Sequence, residues 1–192
     1  DYTFLSTVPE ATLRVPSFSS WLEDQDQGPA YRYLRRLLKL LAWKQEGRRF
    51  VLKTPHHLEW FDTLLEVFPD AKIVQTHRDP LQTTASFCSM VTHGRGVFSD
   101  QVDPLEVGRM IMRATEARER HDASHFLDVS YYDLMRDPLV QMERIYAFTG
   151  QPFDASTRAG IEASHESSPQ HRYSKHVYKL ESFWLEAEAL NA

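Results

Sequence analysis

Apolar positions along this chain follow two rhythms. Short unbroken runs bounded by polar residues read as buried strands over Arg49–Thr54, Ala71–Thr76 and His125–Ser130. From Pro29 the period changes. Leu34, Leu37, Leu38 and Leu41 recur at helical spacing, while Arg32, Arg35, Arg36 and Lys39 occupy another face. That basic stripe suits an acidic ligand or, more simply, a solvated face. Further helices are expected over His57–Phe68, Leu139–Phe148, Ala155–Ala163 and Tyr178–Leu190. Asp79-Pro80, Asp103-Pro104 and Asp137-Pro138 each have the form of a helix start, with aspartate as cap and proline at the first position. Residues 1–28 lack a sustained period; Ser20 with Glu23 fits a capping box for a short helix over Ser20–Asp24.

Strands alternating with helices, without hairpin signals, predict an α/β fold: a parallel sheet covered by helices. The 192 residues suit one domain or part of one. A formal charge of −5 argues against a broad basic surface for nucleic acid or an acidic membrane, so local basic clusters must be judged singly. The single cysteine, Cys88, excludes an internal disulfide framework and fits a reducing compartment, hence a cytoplasmic location. No Cys/His cluster points to a metal, and no apolar run is long enough to span a bilayer.

Twice a strand runs into a basic residue and a proline that opens a helix, at Lys53-Thr54-Pro55 and at His77-Arg78-Asp79-Pro80. Ligands of open α/β sheets bind at the carboxyl ends of strands, and cations there suit an anionic, nucleotide-like ligand. Lys53 with His56 and His57 combines a charge stabiliser with candidate bases in one loop. Adjacent imidazoles also suit packing or a helix start. The Arg78 guanidinium can pair with a phosphate. Ser86, eight residues on, can face the same crevice or serve as an ordinary helix residue.

Lys53-Thr54-Pro55-His56-His57, then Arg78-Asp79-Pro80 with Ser86, then Tyr131-Tyr132-Asp133-Leu134-Met135-Arg136-Asp137-Pro138 resemble the ordered motifs of sulfotransferases that use 3′-phosphoadenosine 5′-phosphosulfate (PAPS), above all their bacterial-type branch. The resemblance covers about Pro29 to Phe148 and implies one partial sulfotransferase domain, 1–192, with a P-loop-like core. It implies that Arg78 and Ser86 hold the nucleotide's 3′-phosphate, that Tyr131 lies against adenine, and that Lys53 stabilises charge as the sulfuryl group leaves. His57 falls on the branch's histidine and is the implied base, with His56 in reserve. PAPS is the implied cosubstrate, without a metal. The acceptor is a small molecule or carbohydrate bearing a hydroxyl or amine.

The departures from the family pattern carry their own expectations. Cytosolic sulfotransferases place the histidine where this chain has Pro55, and their Arg-Lys-Gly clamp is replaced at best by Arg172 and Lys175. Family members begin with a strand and a glycine-containing phosphate loop, whereas the first glycine here is Gly28, before a helix. The amino-terminal strand and loop are therefore expected to be missing. Positioning supplies most of the catalysis in such transfers, so the isolated chain is expected to be nearly inactive. Apparent homo-oligomers could follow from an exposed strand edge. The alternative reading is a noncatalytic nucleotide-binding or interaction module derived from a sulfotransferase. Trp21, Trp60 and the aromatics near Phe98 are candidates for an acceptor pocket or for the core.

Overall fold

The computed structural model describes residues 9, 12–45, 47, 49–99 and 108–167, with 108–112 described by backbone alone. The helix expected over Tyr178–Leu190, the Asp103-Pro104 helix start, Arg172 and Lys175 lie outside the described residues. The described residues group into two compact units, one drawn from the ranges 1–71 and 87–122, the other from 72–86 and 123–192.

In the first unit α1 (Pro16–Glu23) and α2 (Gly28–Leu41) precede a 3-10 turn (Pro55–Trp60) that runs directly into α3 (Phe61–Val67). Phe61, Leu64 and Leu65 take helical spacing on α3 and are buried, with Phe61 only 2% exposed. Removing such a side chain from water contributes about 1.5–3 kcal/mol. The far half of α4 (Pro80–Gly96) adds buried Cys88 and Val91. On α5 (Gly108–Arg120) the buried residues Ala114 and Ala117 are three apart and small, which lets its backbone come close to the 3-10 turn and α3.

The second unit holds the sheet. Strands β1 (Ile73–His77) and β2 (Phe126–Ser130) pair in parallel, from Ile73 opposite Phe126 to His77 opposite Ser130. Val129, at 0% exposure, anchors β2 in the core. Helices α6 (Tyr131–Arg136), α7 (Pro138–Thr149) and α8 (Ala155–Ser167) follow. Ser130 Oγ accepts from the Asp133 N–H at the start of α6, and Asp137 Oδ1 accepts from the Val140 N–H at the start of α7. Gly150 ends α7 with φ 64°, a left-handed position that glycine adopts without strain.

The expected α/β class with parallel pairing is present, and two of the three expected strands form within a residue or two of their predicted bounds. Arg49–Thr54 does not form a strand. Among the described residues β1 and β2 pair only with each other, so this segment lacks the neighbour that would complete its ladder. Residues 49–53 are exposed rather than buried, Val51 to 94%. The capping box at Ser20 is also absent: Ser20 lies inside α1, which begins at Pro16. Of the α2 leucines, Leu37 and Leu41 stay exposed; the buried side chain of that helix is Tyr31. The helix expected over His57–Phe68 starts earlier and as a 3-10 turn, because Pro55 and the Thr54 cap begin it. The short α6 had no sequence signal strong enough to specify it.

Candidate active site

In the first unit the candidate residues gather at the turn after Lys53. Thr54, in extended backbone, accepts the His56 N–H on its hydroxyl, and Pro55 supplies the first residue of the turn. Two residues after Pro55, His57 meets α2. There the Tyr31 hydroxyl lies 2.8 Å from His57 Nδ1, with the two rings 5.6 Å apart. Burial, and secondarily the neighbouring His56, hold the His57 imidazolium below its ordinary pKa. Burial first, then the charge of Glu59, pushes the Tyr31 phenol above its usual range. Both rings are therefore neutral near pH 7.

The same turn is fixed from below. The Glu59 side chain is 2% exposed and lies 3.5 Å from Arg113 of α5, whose guanidinium also sits 5.1 Å from the Trp60 ring centroid. Lys53 itself is exposed and, among the described residues, makes no ion pair. An ammonium so placed is available to an anionic ligand.

In the second unit strand register does the work. Because His77 stands opposite Ser130, the next residues of the two strands, Arg78 and Tyr131, emerge side by side at the carboxyl end of the sheet. The Arg78 guanidinium lies 4.8 Å from the Tyr131 ring centroid and donates to Gln82 Oε1 at 2.9 Å. Asp79 caps α4 by accepting the Gln82 N–H at 3.1 Å. Ser86 is half-buried in the second turn of that helix. His77 is diagonal to Asp128 across the strands, and the two side chains meet at 2.5 Å. Thr54, Asp79 and His77 thus take the strand-end and helix-start roles their sequence context implies.

Arg78 and Tyr131, 53 positions apart, are the predicted site residues that the structure brings into contact. A guanidinium beside an aromatic face fits a phosphate joined to a purine. His56 and His57 share one turn and are both half-buried, and His57 meets the Tyr31 hydroxyl. No hydrogen bond joins Arg78 to Ser86. Sequence reasoning missed Tyr31 and Gln82. Tyr31 shares a helix face with Leu34 and Leu38, so a polar-tipped ring in an apolar stripe was its only signal. Gln82 stood four residues from Arg78, the spacing at which helix-surface side chains meet. Trp21 and Phe98 are 44% and 65% exposed, and Trp60 is engaged by Arg113. Among the described residues no His/Cys/Asp/Glu group could hold a metal ion, and no helix is long and apolar enough to cross a membrane.

Comparison with known proteins bears on the family and the fold. Residues 1–155 match the model of the sulfotransferase family. The chain is 28% identical over 151 residues to the omega-hydroxy-beta-dihydromenaquinone-9 sulfotransferase Stf3 of Mycobacterium bovis, a match covering 71% of this chain and 39% of Stf3. The crystal structure of sulfotransferase STF9 from Mycobacterium avium superposes with TM-score 0.84 at 31% identity, over 97% of this chain and 50% of that one. Sulfotransferase STF1 from Mycobacterium tuberculosis gives TM-score 0.83 at 32% identity, over 97% and 50%. The chain therefore spans half or less of the length of these relatives. With more than half of its residues matched to the family model and its fold shared with two solved members, the chain belongs to the sulfotransferase family.

Proposed function

We propose that the protein carrying this chain transfers a sulfuryl group from PAPS to an acceptor hydroxyl or amine. The observation that carries the reading is the Arg78–Tyr131 pair at the carboxyl ends of two parallel strands. Arg78 would bind the 3′-phosphate and Tyr131 the adenine, with Ser86 as a further donor to the phosphate. The donor supplies an activated sulfuryl group. The bond from its sulfur to the phosphate oxygen breaks as a bond from sulfur to the acceptor heteroatom forms. His57 takes the acceptor's proton on Nε2, and Lys53 stabilises the charge on the departing phosphate oxygen.

This base assignment requires one tautomer. Nδ1 must carry a proton and donate it to the Tyr31 oxygen, which leaves the Nε2 lone pair open. Tyr31 is a positioning residue in this scheme. Stf3 is named for a hydroxylated quinone, and a hydroxyl on a largely apolar molecule is accordingly the acceptor class we assign first. We do not favour a noncatalytic module, because an exposed cation, a half-buried imidazole and its tyrosine partner are all present.

The test is turnover by the complete protein with labelled PAPS and a hydroxylated isoprenoid quinone, the product identified by mass. Lys53→Ala is expected to lower kcat by about two to three orders of magnitude, the usual cost of removing one group that stabilises developing charge. A phosphorylated product from a nucleoside triphosphate, or transfer unaffected by Lys53→Ala, would overturn the reading.

A further inference from the structure

Helix α2 has three faces rather than two. Tyr31, Leu34 and Leu38 turn inward. Arg32, Arg35, Arg36 and Lys39 form an exposed cationic row at helical spacing. Between them, on the remaining side, Tyr33, Leu37, Leu40 and Leu41 are 51%, 38%, 61% and 60% exposed, and Trp43 just beyond the helix is 70% exposed. Apolar side chains of this size in one contiguous row mark an interaction surface.

The charges on the helix narrow the choice of occupant. The sequence Gly28–Leu41 contains no acidic residue, and among the described residues none of its four cations is in an ion pair. A protein partner that merely covered the apolar row would leave this cationic edge unmatched, whereas a bilayer with anionic headgroups satisfies both at once. Leucines enter the acyl boundary, arginines and the lysine stay at the phosphate level, and Tyr33 and Trp43 take the interfacial depth that aromatic rings favour. The net charge of −5 does not oppose this, because the positive charge is local and attraction to a surface decays within a Debye length. We propose that α2 is a peripheral docking face for an anionic membrane surface, lying in the plane of the interface over its length of about 21 Å. The proposal stands apart from the sulfuryl-transfer reading and neither needs nor supports a particular acceptor.

The experiment is co-sedimentation of this chain with phosphatidylcholine vesicles, with and without phosphatidylserine, at low and high salt. The wild-type chain is expected to partition onto the phosphatidylserine vesicles and to be released by salt. Replacing Arg35, Arg36 and Lys39 with glutamine should weaken partitioning about fivefold per charge removed. Leu40→Asp with Leu41→Asp should abolish it. In a parallel measurement, brominated lipid is expected to quench a tryptophan component of the wild-type chain, and Trp43→Phe should remove that component. If the folded wild-type chain does not partition onto anionic vesicles, the proposal fails. It fails equally if partitioning is indifferent to the three glutamines, or if the aspartates abolish self-association in a protein that never binds lipid; the last result would assign the face to a second copy of the chain.

Discussion

Tyr31→Phe removes one oxygen, and the structure says what that oxygen holds. The hydroxyl is 2.8 Å from His57 Nδ1, on a residue only 7% exposed, so water cannot simply take its place. If Nδ1 carries the proton, as the base assignment requires, the variant leaves a partly buried N–H without an acceptor. That costs about 1–3 kcal/mol, against about 0.5–1.5 kcal/mol for the net loss of an ordinary hydrogen bond. Chemical denaturation of both proteins gives the difference, and its midpoint should move without a change in slope. Nitrogen NMR of the imidazole decides the tautomer. In the wild-type protein Nδ1 is expected to be protonated and Nε2 bare, and in Tyr31→Phe the two tautomers should mix. A wild-type His57 protonated on Nε2 would refute the reasoning, because Tyr31 would then be the donor and His57 would have no lone pair facing an acceptor.

Three further outcomes follow from the same geometry. His57 has a folded pKa below its unfolded value of about 6.5, so the unfolded chain binds the extra proton as pH falls through that region. Stability should be full above it and decline just below it, and His57→Gln should flatten that part of a melting-temperature profile; Asp62, held low chiefly by its bond to Arg120, contributes only to the separate loss at more acidic pH. Arg113→Met removes the guanidinium beside the buried Glu59 carboxylate and should cost on the order of 3 kcal/mol by denaturation, while Arg113→Lys recovers part of it. Asp137→Ala deletes the cap of α7 and should lower stability by about 0.5–2 kcal/mol, with Asp137→Asn nearly neutral in the same assay.

The residues legible in sequence were those whose neighbours are set by local rules. Asp79 and Asp137 cap their helices as aspartate before proline implies, and the strands at 73–77 and 126–130 fall where apolar runs placed them. Arg78 was legible from its place after a strand and Tyr131 only through the family resemblance; that the two meet follows from the register of the parallel strands. Arg49–Thr54 was misread for the converse reason: its apolar pattern is a strand pattern, but a strand exists only with a partner, and none is present among the described residues. Tyr31 was invisible because its role depends on a contact 26 residues away in sequence, made by a helix face that also carries ordinary core residues. The exposure of Leu40 and Leu41 was equally hidden, since periodicity shows which side is apolar and not whether anything covers it.

Calorimetric titration with 3′,5′-adenosine bisphosphate, the desulfated product nucleotide, tests the central claim most directly, run on the wild-type chain beside Arg78→Ala. The claim predicts binding by the wild type and a loss of about ten- to a hundredfold in the variant, the range for a charged hydrogen-bonding group removed from a phosphate. A folded wild-type chain that does not bind, or a variant that binds equally well, would contradict it.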